Sequence, residues 1–206
     1  MLLAQTIIFG LTLIAIVWYA EITRRMYREI KRQADTALES HKSYKLSVAA
    51  DWLLKLQQEF DGIELTKARF YVAQFRRQLI TNPELAPDTA IHDLMEELWD
   101  FFETLGVLLK RGLLDKELIH TQFFHWVNGY WYLTKRYLEA ERKENDPRWK
   151  NFVYLANELR KIEAHQYCRS KDLEWSNSEY EEFIEQEFTS NKAALKRLGG
   201  TPFNKL

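Results

Sequence analysis

The side chains able to do chemistry in this 206-residue chain are few: one cysteine, Cys168, and five histidines, His41, His92, His120, His125 and His165. Glu117-x-x-His120 has the i, i+3 spacing with which di-iron carboxylate bundles present two ligands from one helix. Such a centre needs a second Glu-x-x-His and two further glutamates on facing helices, and the chain holds no second copy. Glu117 also follows Asp115 at a helix start, where the helix dipole alone favours an acid. His92 and Glu96 lie one turn apart, with Asp100 and Glu103 continuing near that side. As a site they would form a general acid–base pair or a partial metal site. The stripe Ile91, Leu94 and Leu98 on the other side makes a solvated polar face the favoured reading.

Other constellations carry less. His120 and His125 are five apart, which does not bring them onto one helical turn. Cys168 has no nucleophile motif around it, and a cysteine hydrolase would need a histidine supplied by the fold. A single cysteine forms no internal disulfide and suits a reducing compartment. There is no Gly-rich phosphate loop, nucleophile elbow or zinc signature. The aromatic run Phe123–Tyr132 has two readings, a stacking platform or pocket and a packed core; helical spacing favours core for Trp126 and Tyr130. Arg111, Arg136 and Asp115 border this helix pair as a possible charge network. The expectation is therefore no catalytic, cofactor-binding or metal residue and no cofactor.

The elements that must position these residues are all helices. Leu46, Ala49, Leu53, Leu56 and Phe60 make one stripe, ended by Asp61-Gly62. Leu65, Ala68, Val72, Phe75 and Leu79 make the next, so the two are expected to pack as an antiparallel hairpin. Residues 88–111 carry Ile91, Leu94, Met95, Leu98, Phe102, Leu105 and Leu109, and Gly112 suits the left-handed close. Asp115 reads as the N-cap of a helix over about 116–144, apolar nearly all round and so expected to be the most buried. Gly129 in its middle admits a close neighbour. Asp146 and Pro147 are expected as N-cap and first residue of the next helix, whose buried face is Trp149, Phe152, Val153, Ala156, Leu159 and Ile162. Residues 169–175 read as a loop. Ser176 and Glu179 have capping-box spacing before a last helix with Tyr180, Ile184, Phe188, Leu195 and Leu198 on one side. No segment has strand period, so the class is all-α.

Leu2 to Ala20 contains no charged residue, and as helix it reaches about 30 Å, the thickness of a bilayer's hydrocarbon core. Trp18 and Tyr19 end it with interfacial aromatics, and Arg24, Arg25, Arg28, Lys31 and Arg32 follow. A cleaved signal peptide would have basic residues before the apolar run and small ones after it, and this run has neither. The expected organisation is a transmembrane anchor at 1–20, a basic juxtamembrane helical neck at 21–45, a helical bundle of five or six helices at 46–198 and a tail at 199–206. The absence of Gly and Pro from 11 to 61 lets anchor and neck run as one helix. A short coiled coil in the neck is the alternative, with an apolar pattern too sparse to sustain heptads. Positive residues on one flank place the bundle in the cytoplasm, on a single-pass inner-membrane protein.

With 46% apolar and 14% aromatic residues the chain has ample material for a core, which argues against disorder. A net charge of −1 lacks the basic excess of a general nucleic-acid binder, so no nucleic-acid partner is expected.

Phe101-Phe102-Glu103, Leu105-Gly106, Lys110-Arg111-Gly112-Leu113-Leu114-Asp115, Tyr130-Trp131 and Arg136 together look familiar. Over roughly residues 1–165 the chain resembles an uncharacterised bacterial family of small helical proteins, a domain of unknown function, many members of which carry one N-terminal span. The resemblance implies a bacterial inner-membrane setting and supplies no reaction. The leading expectation is a membrane-anchored interaction module that contacts the bilayer through its N-terminal helix and binds a protein partner or itself. The alternatives are an enzyme of unrecognised type using His92, Glu96 and Glu103, and a stress or defence effector acting on its own membrane.

Overall fold

The structure, a computed structural model, describes residues 2–142, 147–166 and 175–199, without the side chains of residues 2–8 and 166. It is all-α: α1 (Leu2–Phe60), α2 (Ile63–Thr81), α3 (Thr89–Lys110), α4 (Lys116–Glu141), α5 (Lys150–Gln166) and α6 (Asn177–Arg197). The described residues contain no strand. The chain divides into two units, Met1–Val48 and Ala49–Leu206.

The first unit is helical from Leu2, as the lack of Gly and Pro after Leu11 allows. Its apolar side chains Phe9, Leu11, Leu13, Ile14, Ile16, Val17, Trp18 and Tyr19 are all at least 60% exposed. Among the described residues no helix is long and apolar enough to cross a membrane. The side chains of residues 1–8 of the expected anchor lie outside the described residues.

In the second unit, α2 lies against α6 and α3, while α5 lies against α3 and α4. The expected hairpin of the 46–60 stripe with α2 is therefore corrected: the backbone neighbours of α2 are α6 and α3. The end of α1 instead inserts Phe60, fully buried, among the rings of Phe101, Phe102, Phe123 and Trp126. Burying a ring of this size stabilises by about 1.5–3 kcal/mol and seats the end of α1 against α3 and α4. Leu46, expected as the first core residue, is exposed, and the core begins at Ala49. The expectation that α4 is the most buried helix is corrected. Phe123, Val127, Tyr130, Trp131, Leu133 and Leu138 are buried, but Phe124, Trp126 and Tyr137 are only partly so, and α3, which lies against α2, α4 and α5, is the central helix.

Local signals decide where helices start. The Asp88 carboxylate accepts from the Ile91 N–H at 2.8 Å, and that of Asp115 from Glu117 and Leu118 at 3.0 and 3.3 Å. Ser176 and Glu179 form the reciprocal capping box. Gly112 closes α3 at φ 65°. At α5 the sequence expectation fails: the helix begins at Lys150, so Pro147 is not its first residue, and Asp146 lies outside the described residues. The cap comes from another helix. Glu103 of α3 accepts from the Asn151 and Phe152 N–H groups, both at 2.8 Å, and from Asn151 Nδ2 at 2.6 Å. A carboxylate at that end also meets the positive pole of the helix dipole. Just before it, Trp149 stands at φ 52°, a costly conformation for a bulky residue. Its indole donates to Asp100 at 2.7 Å and packs edge-on to Trp99, which holds the turn.

The α3–α5 seam is close because residue 106 is glycine. A Cβ there would lie 2.2 Å from the Asn151 carbonyl oxygen, and at Gly129 of α4 it would lie 2.3 Å from the Phe183 ring. Gly106→Ala gains about 1 kcal/mol of helix propensity but must displace backbone, so a net loss of about 1–3 kcal/mol is expected. Urea unfolding checks this; an unchanged or raised midpoint would show that the helices separate there at no cost.

Candidate functional site

The most polar point of the bundle interior lies on residues that the apolar stripes of α2 and α6 carry in phase. Arg69 follows Leu65 by one turn and precedes Val72 by three residues; Glu187 sits three after Ile184 and four before Asn191. Both are buried, at 6% and 4% exposed. The guanidinium makes a two-pronged contact, Nε to Glu187 Oε2 and Nη2 to Oε1, each at 2.9 Å. Helix α4 supplies two more donors: Trp126 Nε1 reaches Oε1 at 3.1 Å and the Tyr130 hydroxyl donates to Oε2. Asn191 Nδ2 donates to Oε2 at 3.2 Å and to the Glu187 backbone carbonyl at 2.7 Å. On the Arg69 side, Nη1 donates to the Phe60 carbonyl at 3.4 Å and lies 4.0 Å from the Asp61 carboxylate. The Phe60 ring packs under the guanidinium at 4.1 Å from its centroid.

These contacts fix the protonation states. Burial pushes the Glu187 carboxyl up, but the hydrogen bonds and charge of Arg69, with Tyr130 and Asn191, outweigh it and hold the pKa below the ordinary value. Burial opposes the charge on Arg69 too, and its bond to Glu187 more than restores it. Tyr130 is pushed well above the usual phenol range, first by burial and then by the Glu187 charge, so it remains a donor. A carboxylate with five donors on two oxygens has no open acceptor position for a substrate proton. The arrangement therefore stores a charge and ties helices together. A cleft of about 340 Å3 opens beside it, lined by Asp61, Thr66, Arg69, Ser190, Asn191 and Arg197 among others.

A second buried pair lies between α4 and α5. His120 Nε2 is 3.0 Å from Glu163 Oε2, with the imidazole stacked on Phe124. The carboxylate facing His120 is thus Glu163, while Glu117, its i−3 neighbour, is exposed in the first turn. Among the described residues no group of three or more His, Cys, Asp or Glu could hold a metal ion. His125 is turned away from His120, against the rings of Trp175 and Phe183.

The polar face of α3 is divided between two tasks. His92 is half-buried, 3.9 Å from Glu96, 3.3 Å from Glu141 and edge-on to Trp99. Glu103 is not brought to them; its carboxylate is spent on the start of α5, and Asp100 holds Trp149. Asp115 is likewise spent on its cap. Trp126 and Tyr130 are core residues as their spacing predicts, with their polar atoms aimed at Glu187. Cys168 lies outside the described residues. Asn128, 1% exposed, is the one buried amide among the described residues with neither Nδ2 nor Oδ1 hydrogen-bonded. Sequence reasoning missed Arg69, Glu187 and Glu163, although each falls in phase with an apolar stripe, and a charge in that position has to find a partner inside.

The sign of the pH effect follows from Glu187. Its folded pKa lies below the ordinary carboxyl value of 4.5, so its contribution is complete above that pH and is lost as acid protonates it. Removing one partner of a buried pair costs about 3–5 kcal/mol, and Glu187→Gln should approach that loss at neutral pH. The stability difference between wild type and Glu187→Gln should then shrink below pH 4.5, measured by urea unfolding across the acid range. A difference independent of pH would contradict a charged Glu187.

No curated protein and no solved structure matches this chain. The match to a family model ends before α6, so it includes Arg69 and the donors on α4 but not Glu187. Residues 5–159 match the family described as Domain of unknown function (DUF4760), and the chain belongs to that family.

Proposed function

We propose that this protein is a membrane-anchored helical interaction module: residues 1–20 hold it in a bilayer, and the bundle binds a protein partner or a second copy of the chain. The observation that carries the anchor is the distribution of Phe9, Leu11, Leu13, Ile14, Ile16, Val17, Trp18 and Tyr19. All are exposed, and at about 100° per residue they surround the helix. A helix lying in the interface would carry apolar residues on one face only, with charges on the other. All-round apolar exposure fits hydrocarbon. The basic residues at 24–32 against none in the first twenty favour a cytoplasmic bundle on the inner membrane.

A binding role for the bundle is supported by the state of its polar centre. Glu187 is saturated by internal donors, and Glu103, Asp100 and Asp115 are occupied in helix starts and the Trp149 turn. The bundle surface carries apolar side chains outside the core, among them Ile80 at 55% and Leu113 at 42% exposed.

Two measurements test the two halves. After alkaline carbonate extraction of membranes, the full chain should remain in the pellet, and a chain beginning at Glu21 should be released. Release of the full chain would remove the anchor. A photocrosslinking residue at Ile80 or Leu113, used in the native cell, should give a discrete adduct larger than the monomer; monomer alone from both positions would remove the partner.

A further inference from the structure

We propose that Arg24, Arg28 and Lys31 form a binding face for anionic lipid headgroups, an inference that rests on the anchor reading and adds a lipid preference to it. The five basic residues after Tyr19 are not equivalent. Arg25 is paired with Glu21 at 3.2 Å, and Arg32 with Glu29 at 2.9 Å, both within the helix. Arg24, Arg28 and Lys31 are exposed and have no ion-pair partner among the described residues. Their spacings of four and three put them within an arc of about 60° on one face, each a turn above the last. The chain thus pairs two of its cations within the helix and leaves three aligned.

Their height matches a headgroup layer. With Trp18 and Tyr19 at the edge of the hydrocarbon, a rise of about 1.5 Å per residue puts Arg24 about 7 Å beyond Tyr19, inside the headgroup zone. Arg28 follows at about 13 Å, within a Debye length of the outer edge, and Lys31 at about 18 Å stands just beyond that length, with long side chains reaching back. A lipid phosphate offers the acceptor geometry that a guanidinium fork fits, and the negative field of an anionic leaflet falls off over this same distance. Arg24 should therefore contribute most and Lys31 least.

The test uses the full chain with vesicles of phosphatidylcholine alone and with added phosphatidylglycerol, reading flotation and the motion of spin-labelled lipids of both headgroups. Wild type should float with both vesicle types and immobilise phosphatidylglycerol several-fold in preference to phosphatidylcholine. The triple substitution Arg24→Gln, Arg28→Gln, Lys31→Gln should still float and lose that preference. Arg25→Gln with Arg32→Gln should keep most of it, which separates an aligned face from a simple charge count. Flotation without headgroup preference in wild type, or equal loss per charge in the two variants, overturns the face and leaves the anchor standing. Flotation only with phosphatidylglycerol, abolished by the triple substitution, supports the face and overturns the anchor. Absence of flotation with either vesicle overturns both.

Discussion

A carboxylate taken out of water must be matched by a cation and by hydrogen bonds, or it gives up its charge. Glu187 is the place where that constraint organises the bundle. The donors that satisfy it come from α2, α4 and α6, and the cation itself rests on the last ring of α1. Apolar packing tolerates small slides between helices. A fork of two guanidinium bonds on two carboxylate oxygens fixes helix rotation as well as separation. The close approach of Phe183 to Gly129, one turn from Glu187 on α6, belongs to the same docking.

The same satisfaction explains how the interior holds the charge of Glu187. A general base needs an acceptor lone pair turned toward a reacting proton, and Glu187 has spent its lone pairs on neighbours. His120 and Glu163 repeat the theme on the α4–α5 side, and Glu103 repeats it at the start of α5. Three carboxylates on three helices thus act as fasteners between elements.

How much of this was legible depended on the range of the interaction. Helix class, the Asp88 and Asp115 caps, the Ser176–Glu179 box and the Gly112 turn all follow from residues within a few positions of each other, and local spacing displays them. The cap of α5 was misread because its acceptor, Glu103, lies 48 residues before Asn151. The hairpin of α1 with α2 was misread because periodicity says which face is buried and not against what. Arg69 and Glu187, 118 residues apart, stood in phase with their apolar neighbours. Their opposite charges on buried stripes were a readable sign of a pair, and only the fold shows that the two stripes meet.

The central claim is that Arg69 and Glu187 act as one structural unit joining α2 to α6. A double-mutant cycle on the full chain in mild detergent, with Arg69→Met, Glu187→Leu and both together, measures it directly by urea unfolding followed through tryptophan fluorescence. Each single change strands a buried charge, whereas the double change replaces the pair with apolar volume. The account predicts a double variant more stable than either single one. Losses that simply add would contradict it.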